Sequence, residues 1–451
     1  MRTYRKGSMT IFLSFTMMIF LSFCMVLLEG VRMYYLRLEA RQAMDLAEFS
    51  VLSEYQYELF SRYGLFFLDL DYGLGLESPA ILEKRTEKYL MENTTELKTQ
   101  EIKTEKFKRA SDGGGAVFFQ QAVELMKIQN GYKFFEELLP HVEGQSQDSL
   151  ELENILAENE SAAEHVLTEY VDEAGMPLFD ISLPNISFPS IEALNVSVFG
   201  DLKGLSEKSI LSEERLLKRS LEKGEGREEK TNIVEMQWFH NYLFQYFNFY
   251  GSENKDVWKE TLEYQLEYII AGEMEDFKNL ENIMWRIFLM RAGGDYLFYH
   301  QDPVKMAEAE AEALAIAGIS GNAVLIAAVK EMILISKAID AATAETKQIF
   351  SGERVPFYDQ GIFSGIAFGY EEYLYLFLTM TKKNEKIYRC MDIVEMEVRQ
   401  KSEYENFRLD HCTDCFEITW TYQYDSLFVG IPWGGGNKYE EVMKKEIYYE
   451  K

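Results

Sequence analysis

The sequence predicts an α+β protein in which a long N-terminal transmembrane helix continues into an extracytoplasmic, mostly helical body with small β elements. Three observations predict this class. Residues 9–28 form an uncharged apolar run long enough to cross a bilayer. Most of residues 232–402 place apolar side chains at helical spacing, whereas residues 416–423 alternate between apolar and polar side chains as strands do.

The apolar run predicts a membrane helix that is preceded by a basic leader, residues 1–8. At about 1.5 Å per residue, its helical length is about 30 Å, the thickness of a hydrocarbon core. The run is longer than the apolar core of a secretory signal, and it ends in Leu27, Leu28 and Glu29 rather than in small residues. We therefore expect an uncleaved, single-pass anchor in the cell membrane.

The charges on either side of the run predict its orientation. Residues 1–28 carry Arg2, Arg5 and Lys6 and no acid, and the whole chain has a net charge of −29, so the remainder carries −29 minus 3, or −32. Because basic residues near a membrane helix are retained on the cytoplasmic side, we expect a cytoplasmic N-terminus and an extracytoplasmic body. Acidity on this scale argues against nucleic acid as a partner.

Beyond the run, residues 29–63 are predicted to continue the same helix, because Gly30 is the only helix breaker before Gly64. Small residues recur along one face at spacings of three and four and form a packing stripe: Ala40, Ala43, Ala47 and Ser50. Such a stripe lets another element approach closely. Two packing partners for the stripe are consistent with the sequence, the protein's own body and another subunit.

The next part of the chain, residues 64–200, is predicted as a first α+β lobe. Its expected elements are a strand in residues 64–73, a helix in 79–92, a strand in 96–108, an amphipathic helix after the turn at 112–115 and a loosely held helix in 145–175. Residues 201–231 are rich in charge and are predicted to be a flexible linker.

The last part, residues 232–451, is predicted as a second, mostly helical lobe with C-terminal strands. Helices are expected over residues 233–250, 273–292, 303–317, 322–350, 370–381 and 385–402. The alternation around Trp420 predicts a strand, and three glycines at 434–436 predict a turn before a last short element.

No motif predicts catalysis or a cofactor. The chain lacks a phosphate-binding glycine loop, a His-Glu-x-x-His pair, a Gly-x-Ser-x-Gly elbow and a dinucleotide fingerprint. Cys412 and Cys415 are a weak zinc or redox candidate, since no second pair follows at zinc spacing and a strand rather than a helix follows Cys415. Structural thiols or an incidental disulfide, with Cys390 as the other exported thiol, are the favoured interpretation.

The leader also holds a possible processing junction of the prepilin type, between Gly7 and Ser8. A cut at this bond would remove the basic leader and leave the apolar helix in place. Prepilins place Glu at the fifth residue after the cut, whereas this chain has Phe12 there.

Several stretches spread over nearly the whole chain resemble the pseudopilin-like membrane proteins associated with Tad-type (tight-adherence, Flp) pili of Gram-positive anaerobes, whose exported domain has no known function. They are residues 6–14 (KGSMTIFLS), 28–32 (LEGVR), 47–55 (AEFSVLSEY), 63–66 (YGLF), 114–118 (GGAVF), 121–123 (QAV), 262–272 (LEYQLEYIIAG), 370–374 (YEEYL) and 389–392 (RCMD).

The resemblance implies a structural or assembly role in a pilus-like secretion apparatus, without catalysis. The expected partners are the lipid bilayer and other pilin-like or pilus assembly subunits. The alternative function is a membrane-anchored adhesin or binding module, for which Trp420 and Trp433 could contact carbohydrate or protein, although core packing is the more common use of such residues.

Overall fold

The computed structural model of the protein describes residues 6–73, 79–129, 161, 182–183, 187–227, 231–252, 261–356, 367–428 and 438–449. Its helices are α1 (Lys6–Leu52), α2 (Tyr57–Tyr63), α3 (Pro79–Glu92), α4 (Asp112–Ile128), α5 (Ile191–Phe199), α6 (Ile233–Tyr246), α7 (Gln265–Ala271), α8 (Asp276–Gln301), α9 (Pro303–Ala317), α10 (Ala323–Phe350), α11 (Tyr370–Met380) and α12 (Lys383–Arg399). Its strands are β1 (Leu68–Asp69), β2 (Lys98–Arg109), β3 (Val355–Pro356), β4 (Ala367–Phe368), β5 (Cys412–Asp425) and β6 (Lys438–Tyr448).

Helices make up 64% of the structure and strands 13%, and an N-terminal apolar helix precedes a mostly helical body. This confirms the predicted α+β class. The chain divides into two compact units, and each is built from segments that are distant in sequence. Unit 1 comprises residues 1–125, 220–232 and 394–451, and unit 2 comprises residues 126–219 and 233–393.

Unit 1 is built on an antiparallel sheet in which β5 pairs with β1, β2 and β6. Trp420 of β5 stands opposite Ile102 of β2 and Met443 of β6. Alternate side chains of β5 point to one face of the sheet and are fully buried there: Phe416, Ile418, Trp420, Tyr422 and Tyr424. That buried face shares one hydrophobic core with α1 and α3.

Unit 2 is a helical body around α8, α9 and α10. The facing sides of α8 and α10 bury mainly apolar residues, with Leu280, Ile283, Met284 and Ile287 on α8 and Val329, Met332, Ile335 and Ala338 on α10. Alanines of α9 occupy its buried side, so this helix can approach its neighbours closely. Most of its stability therefore comes from apolar burial between amphipathic helices.

The helix predicted for residues 29–63 ends at Leu52, and residues 57–63 form the separate helix α2. The break is stabilised by tertiary contacts. The backbone N–H of Gln56 donates to the carbonyl of Phe67 at 2.8 Å, and the Gln56 side chain caps α2 by accepting from the N–H of Glu58. The predicted strand in 64–73 is reduced to the two residues of β1.

The predicted flexible linker, residues 201–231, makes specific contacts over its described part, although most of its side chains are exposed. Within unit 2, Leu216 is buried, and Ile210 donates its N–H to the carbonyl of Met274 at 2.9 Å. Within unit 1, the N–H groups of Gly224 and Gly226 donate to the Asp112 carboxylate at 2.8 and 3.0 Å.

The two units also differ from the linear lobes predicted over residues 64–200 and 232–451. The difference arises because β5, near the C-terminus, pairs with β2, about 300 residues earlier in the chain. The helix predicted for residues 145–175 and the turn at 434–436 lie outside the described residues. The predicted helices of the second lobe are all present, and α9 begins and ends where predicted.

Candidate functional site

The apolar run forms the first part of α1, and its side chains are exposed except for the half-buried Cys24. In the part of the chain that the structure describes, α1 alone is long and apolar enough to cross a membrane, and its most apolar window has a mean hydropathy of 2.5 with no residue buried. The run contains hydroxyl groups, and these donate to carbonyls one turn back: Ser14 to Ile11 at 3.0 Å, Thr16 to Phe12 at 3.1 Å and Ser22 to Met18 at 2.9 Å. Its polar groups are thus satisfied within the helix, as lipid requires.

After the run, one face of α1 packs on the rest of unit 1. This inner face consists of Leu36, Ala40, Ala43 and Ala47, all buried in the core that contains Trp420. Ser50, the fourth member of the predicted stripe, is half-buried and donates its hydroxyl to the carbonyl of Leu46 at 2.8 Å. The stripe therefore packs on the protein's own body and is not available to another subunit.

The opposite face of the same segment carries large apolar side chains that are exposed to between 43% and 72%. We call Val31, Tyr35, Leu38, Leu46 and Phe49 the outer ridge. At about 100° per residue these five positions fall within an arc of about 80°, roughly opposite the inner face. Val31 is 68% exposed and Phe49 72%. The outer ridge extends the apolar surface of the run along about five turns of helix and is interrupted at Gln42, which is exposed within the same arc.

The predicted processing junction lies in the first turn of α1, because the helix begins at Lys6. Gly7 and Ser8 both have helical backbone. Phe12, one turn later, is exposed with the rest of the run. Cleavage between Gly7 and Ser8 stays a prediction.

Cys412 and Cys415 are both free thiols at the start of β5, and Cys390 is a free buried thiol in unit 2. Because successive side chains of a strand point to opposite faces, two residues three apart diverge. The Cys412 thiol donates to the carbonyl of Arg408 at 3.5 Å, and the Cys415 thiol to Glu446 Oε1 at 3.2 Å. Burial raises the pKa of Cys415 to about 12, which leaves it protonated and unreactive. No group of three potential metal ligands occurs among the described residues.

A buried charged cluster next to these thiols was not predicted from the sequence. His411 Nδ1 lies 2.5 Å from Asp71 Oδ2, and the Asp69 carboxylate accepts the N–H groups of Asp71 and Gly73 at 3.0 and 3.1 Å. Burial raises the pKa of Asp69 to about 6. The cluster fixes the turn after β1 against the start of β5. In the sequence, the spacing Asp69-x-Asp71 after an apolar strand is the signal that could have indicated it.

Unit 2 contains an open cavity of about 640 Å³, in the range of ligand pockets. Four aromatic residues, an ion pair between Arg354 and Glu372, and several backbone groups line it; the aromatic residues are Phe249, Tyr250, Phe350 and Tyr370. Behind this wall, the fully buried Glu267 accepts the N–H of Tyr250 at 2.8 Å and the hydroxyl of Tyr370 at 2.6 Å. Burial raises the pKa of Glu267 to about 7.

The tryptophan predicted as a binding residue is not exposed. Trp420 is fully buried, and its indole N–H donates to Thr99 Oγ1 at 3.1 Å. Trp433 lies outside the described residues. Core packing, the alternative use, is thus the one that the structure shows for Trp420.

Comparison with known proteins finds one family. The sequence model of a family of unknown function, DUF5702, matches residues 188–362 and 359–424, which together exceed half of the chain. No curated protein and no solved structure is significantly similar to the chain.

Proposed function

The chain belongs to the DUF5702 family of unknown function, and we propose that it is a membrane-anchored, pseudopilin-like structural or assembly component of a Tad-type pilus or secretion apparatus. In this proposal the N-terminus is cytoplasmic, the apolar run spans the membrane, and both units are extracytoplasmic. The proposal includes neither catalysis nor a cofactor.

The observation that carries the proposal is the two-sided construction of α1. The inner face holds the body of the protein on the helix, while the outer ridge leaves an apolar surface that is continuous with the run. Exposed apolar surface of this extent is typical of a protein interface. A partner that lies beside the run in the bilayer and beside the ridge outside it would itself be a membrane helix with an extracytoplasmic extension. Pilin-like subunits have that shape.

A further feature supports an assembly role. The resemblance to Tad-associated proteins includes residues 28–32 and 47–55, which contain Val31 and Phe49, the two ends of the outer ridge. The match to the DUF5702 family lies in a different part of the chain, residues 188–424, and indicates no function.

Copurification from native membranes tests the proposal. We expect the wild-type chain to copurify with pilin-like subunits, and the double variant Leu38→Ser, Phe49→Ser to lose them. Met91→Ser is the matched control, because Met91 is an exposed apolar residue of α3 that lies off the ridge. Equal recovery of the subunits with all three chains, or their absence from the wild-type preparation, would contradict the proposal.

The processing part of the proposal has its own test. Intact-mass spectrometry of the assembled chain distinguishes a mature N-terminus at Ser8 from the full leader. If every assembled copy retains Met1, the protein is an unprocessed assembly factor rather than a processed pseudopilin.

A membrane-anchored binding module is the second candidate, and the cavity in unit 2 favours it. Aromatic walls next to an ion pair suit a small ligand with one apolar face and several polar groups, such as a sugar unit. Glycan-array binding by the full chain tests this candidate. We expect Arg354→Ala to abolish binding and Lys382→Ala, a change at an exposed residue that does not line the cavity, to leave it unchanged. Binding that survives Arg354→Ala would contradict this use of the cavity.

A further inference from the structure

The turn between β5 and β6 lies beside the point where α1 leaves its apolar run. Glu29, the first charged residue after the run, is buried, and its carboxylate accepts the N–H of Leu427 at 3.1 Å. One turn later, Arg32 donates from Nη1 to the carbonyl of Asp425 at 2.7 Å. These two contacts fix the beginning of the turn at the level of residues 29–32.

The rest of the hairpin shows which way the turn points. Later residues of β6 contact later residues of α1. Glu441 pairs with Arg37 at 2.7 Å, and Lys445 pairs with Glu48 at 2.5 Å. Just after β6, the hydroxyl of Tyr449 donates to the carbonyl of Leu52 at 3.0 Å. Strand β6 therefore runs along α1 away from the run. Its first residue, Lys438, is the Cα partner of Asp425. Because β5 is antiparallel to β6, it ends on the side of the apolar run.

The composition of the turn is unusual for this protein. Residues 426–437 contain no charged side chain, although 27% of the chain is charged. Leu427 is 52% exposed and Phe428 is half-buried. Residues 429–437 lie outside the described residues, and their sequence adds Val429, Ile431 and Trp433 without any charge.

The charges around the base of the turn are neutralised in pairs. Arg32 pairs with Glu96 at 2.6 Å, and Lys98 pairs with Asp425 at 2.8 Å. The backbone N–H of Leu427 donates to the Glu29 carboxylate. The exposed Leu427 side chain can therefore enter an apolar environment without exposing an unpaired backbone N–H to it.

We propose that Leu427 and Phe428 contact the lipid leaflet from which α1 emerges, so that these two residues after β5 form a second membrane contact beside the anchor. The inference rests on the membrane anchoring in the proposed function. Apolar side chains held at this level enter the boundary between headgroups and acyl chains, as amphipathic surface elements do. Two contacts would restrict the tilt of unit 1 on its anchor, which a single helix cannot do.

Depth-dependent fluorescence quenching in vesicles tests the inference. The experiment uses the full chain with Cys24→Ala, because its other three cysteines are buried. This chain is reconstituted in vesicles of phosphatidylcholine and phosphatidylglycerol. A polarity-sensitive fluorophore is attached to Leu427→Cys, and the vesicles contain lipids with a nitroxide close to the headgroup. Tyr448→Cys is the control, because it is exposed on the same hairpin ten residues, or about 33 Å, beyond Lys438 along β6.

We expect a blue-shifted emission that the shallow nitroxide quenches at position 427, and neither effect at position 448. Equal responses at the two positions, or a blue shift at 427 that appears only after a partner protein is added, would overturn the inference. A label at Met18→Cys, near the middle of the run, reports the anchor separately in a second set of vesicles, whose lipids carry the nitroxide deep in the acyl chain. Deep quenching at 18 without any at 427 refutes the hairpin contact alone, whereas no quenching at 18 refutes the anchor itself and the hairpin contact with it.

Discussion

The inner face and the outer ridge of α1 are two sides of one helix with opposite chemistry. The inner face uses alanine at three of its four positions and is completely buried. The outer ridge uses large aliphatic and aromatic residues and is mostly exposed. Hydrophobicity alone therefore does not show which side of a helix faces the body of the protein.

Size explains the difference. Alanine lets the helix approach a sheet face that is already filled by large rings, such as Trp420 and Tyr422, so the bulk in this interface comes from the sheet. The outer ridge faces no such partner in unit 1 and carries its own bulk. The small-residue stripe here makes an intramolecular contact, and in the proposed function the large exposed residues are the surface that binds another subunit.

The largest effect is expected when the sheet side of the inner contact is removed. Trp420→Ala should destabilise unit 1 by about 3 to 5 kcal/mol, because the fully buried indole leaves a cavity and Thr99 loses its hydrogen bond. Urea unfolding of the detergent-solubilised chain measures this. Val442→Ala, at an exposed position of β6, should change the free energy of unfolding by no more than about 0.5 kcal/mol. A similar small change for Trp420→Ala would disprove the assignment of the core.

A pH titration should show the next largest effect, because Asp69 lies between Leu68 and Leu70 of the same core. Burial raises its folded pKa from 3.8 to about 6, so the protonated form is favoured in the folded state. The associated stability is present in full below about pH 4 and is lost as the pH rises through 6, a change of about 3 kcal/mol at about 1.4 kcal/mol per pKa unit.

Asp69→Asn should flatten this part of the pH profile. The amide cannot titrate, although it also replaces one of the two carboxylate acceptors for the N–H groups of Asp71 and Gly73. Thermal unfolding of both chains between pH 4 and 7 measures the difference. An equally steep profile in the variant would assign the titration to another group.

A smaller loss is expected when bulk is added to the inner face. Ala43→Leu should cost about 1 to 3 kcal/mol, because the sheet leaves no room for a larger side chain. Gln42→Leu adds an apolar residue at the adjacent exposed position and should be nearly neutral. Urea midpoints compare the two variants. Equal midpoints would mean that the inner face tolerates overpacking and is not tightly packed.

The smallest effect on stability is expected on the outer ridge. Phe49→Ser should change the free energy of unfolding by no more than about 0.5 kcal/mol, since the ring is exposed and touches little of its own chain. Urea unfolding of the isolated chain measures this. A loss above 1 kcal/mol would show that the ridge stabilises the monomer and is not reserved for a partner.

Local patterns predicted helices well wherever caps mark both ends. Helix α9 begins with Asp302 as its N-cap and Pro303 at the first position, and α10 begins after the cap Asn322. The helical period and these caps are short-range features, so a single sequence contains them. The same reasoning predicted the apolar run, whose length and lack of charge need no tertiary information.

The misplaced features all depend on contacts between distant residues. Helix α1 ends at Leu52 because Gln56 binds the backbone of Phe67, which no local pattern encodes. Residues 220–227 have the composition of a charged linker, yet the backbone N–H groups of Gly224 and Gly226 donate to the Asp112 carboxylate. A Cβ at Gly226 would lie 2.5 Å from Asp112 Cβ, so only glycine permits this approach. The Gly-x-Gly spacing was the only sign of this contact in the sequence.

The candidate site was predicted in part. The sequence located the run and the small-residue stripe. It left the partner of the stripe open, because helical periodicity shows which residues share a face but not what packs on that face. The outer ridge was not predicted, because large apolar residues at helical spacing are typical of any amphipathic helix. Comparing the sizes of residues on the two faces would have found it.

A cysteine scan along α1 in native membranes tests the central claim most directly. Single cysteines are placed at each position from 31 to 49 in the Cys24→Ala chain and labelled with a benzophenone maleimide, and photo-crosslinking to neighbouring subunits is measured under ultraviolet light. The account predicts a yield that rises and falls with a period of about 3.6 residues, with maxima at Val31, Tyr35, Leu38, Leu46 and Phe49 and minima at Ala40, Ala43 and Ala47. A flat profile, or no crosslinked product at any ridge position, would contradict it.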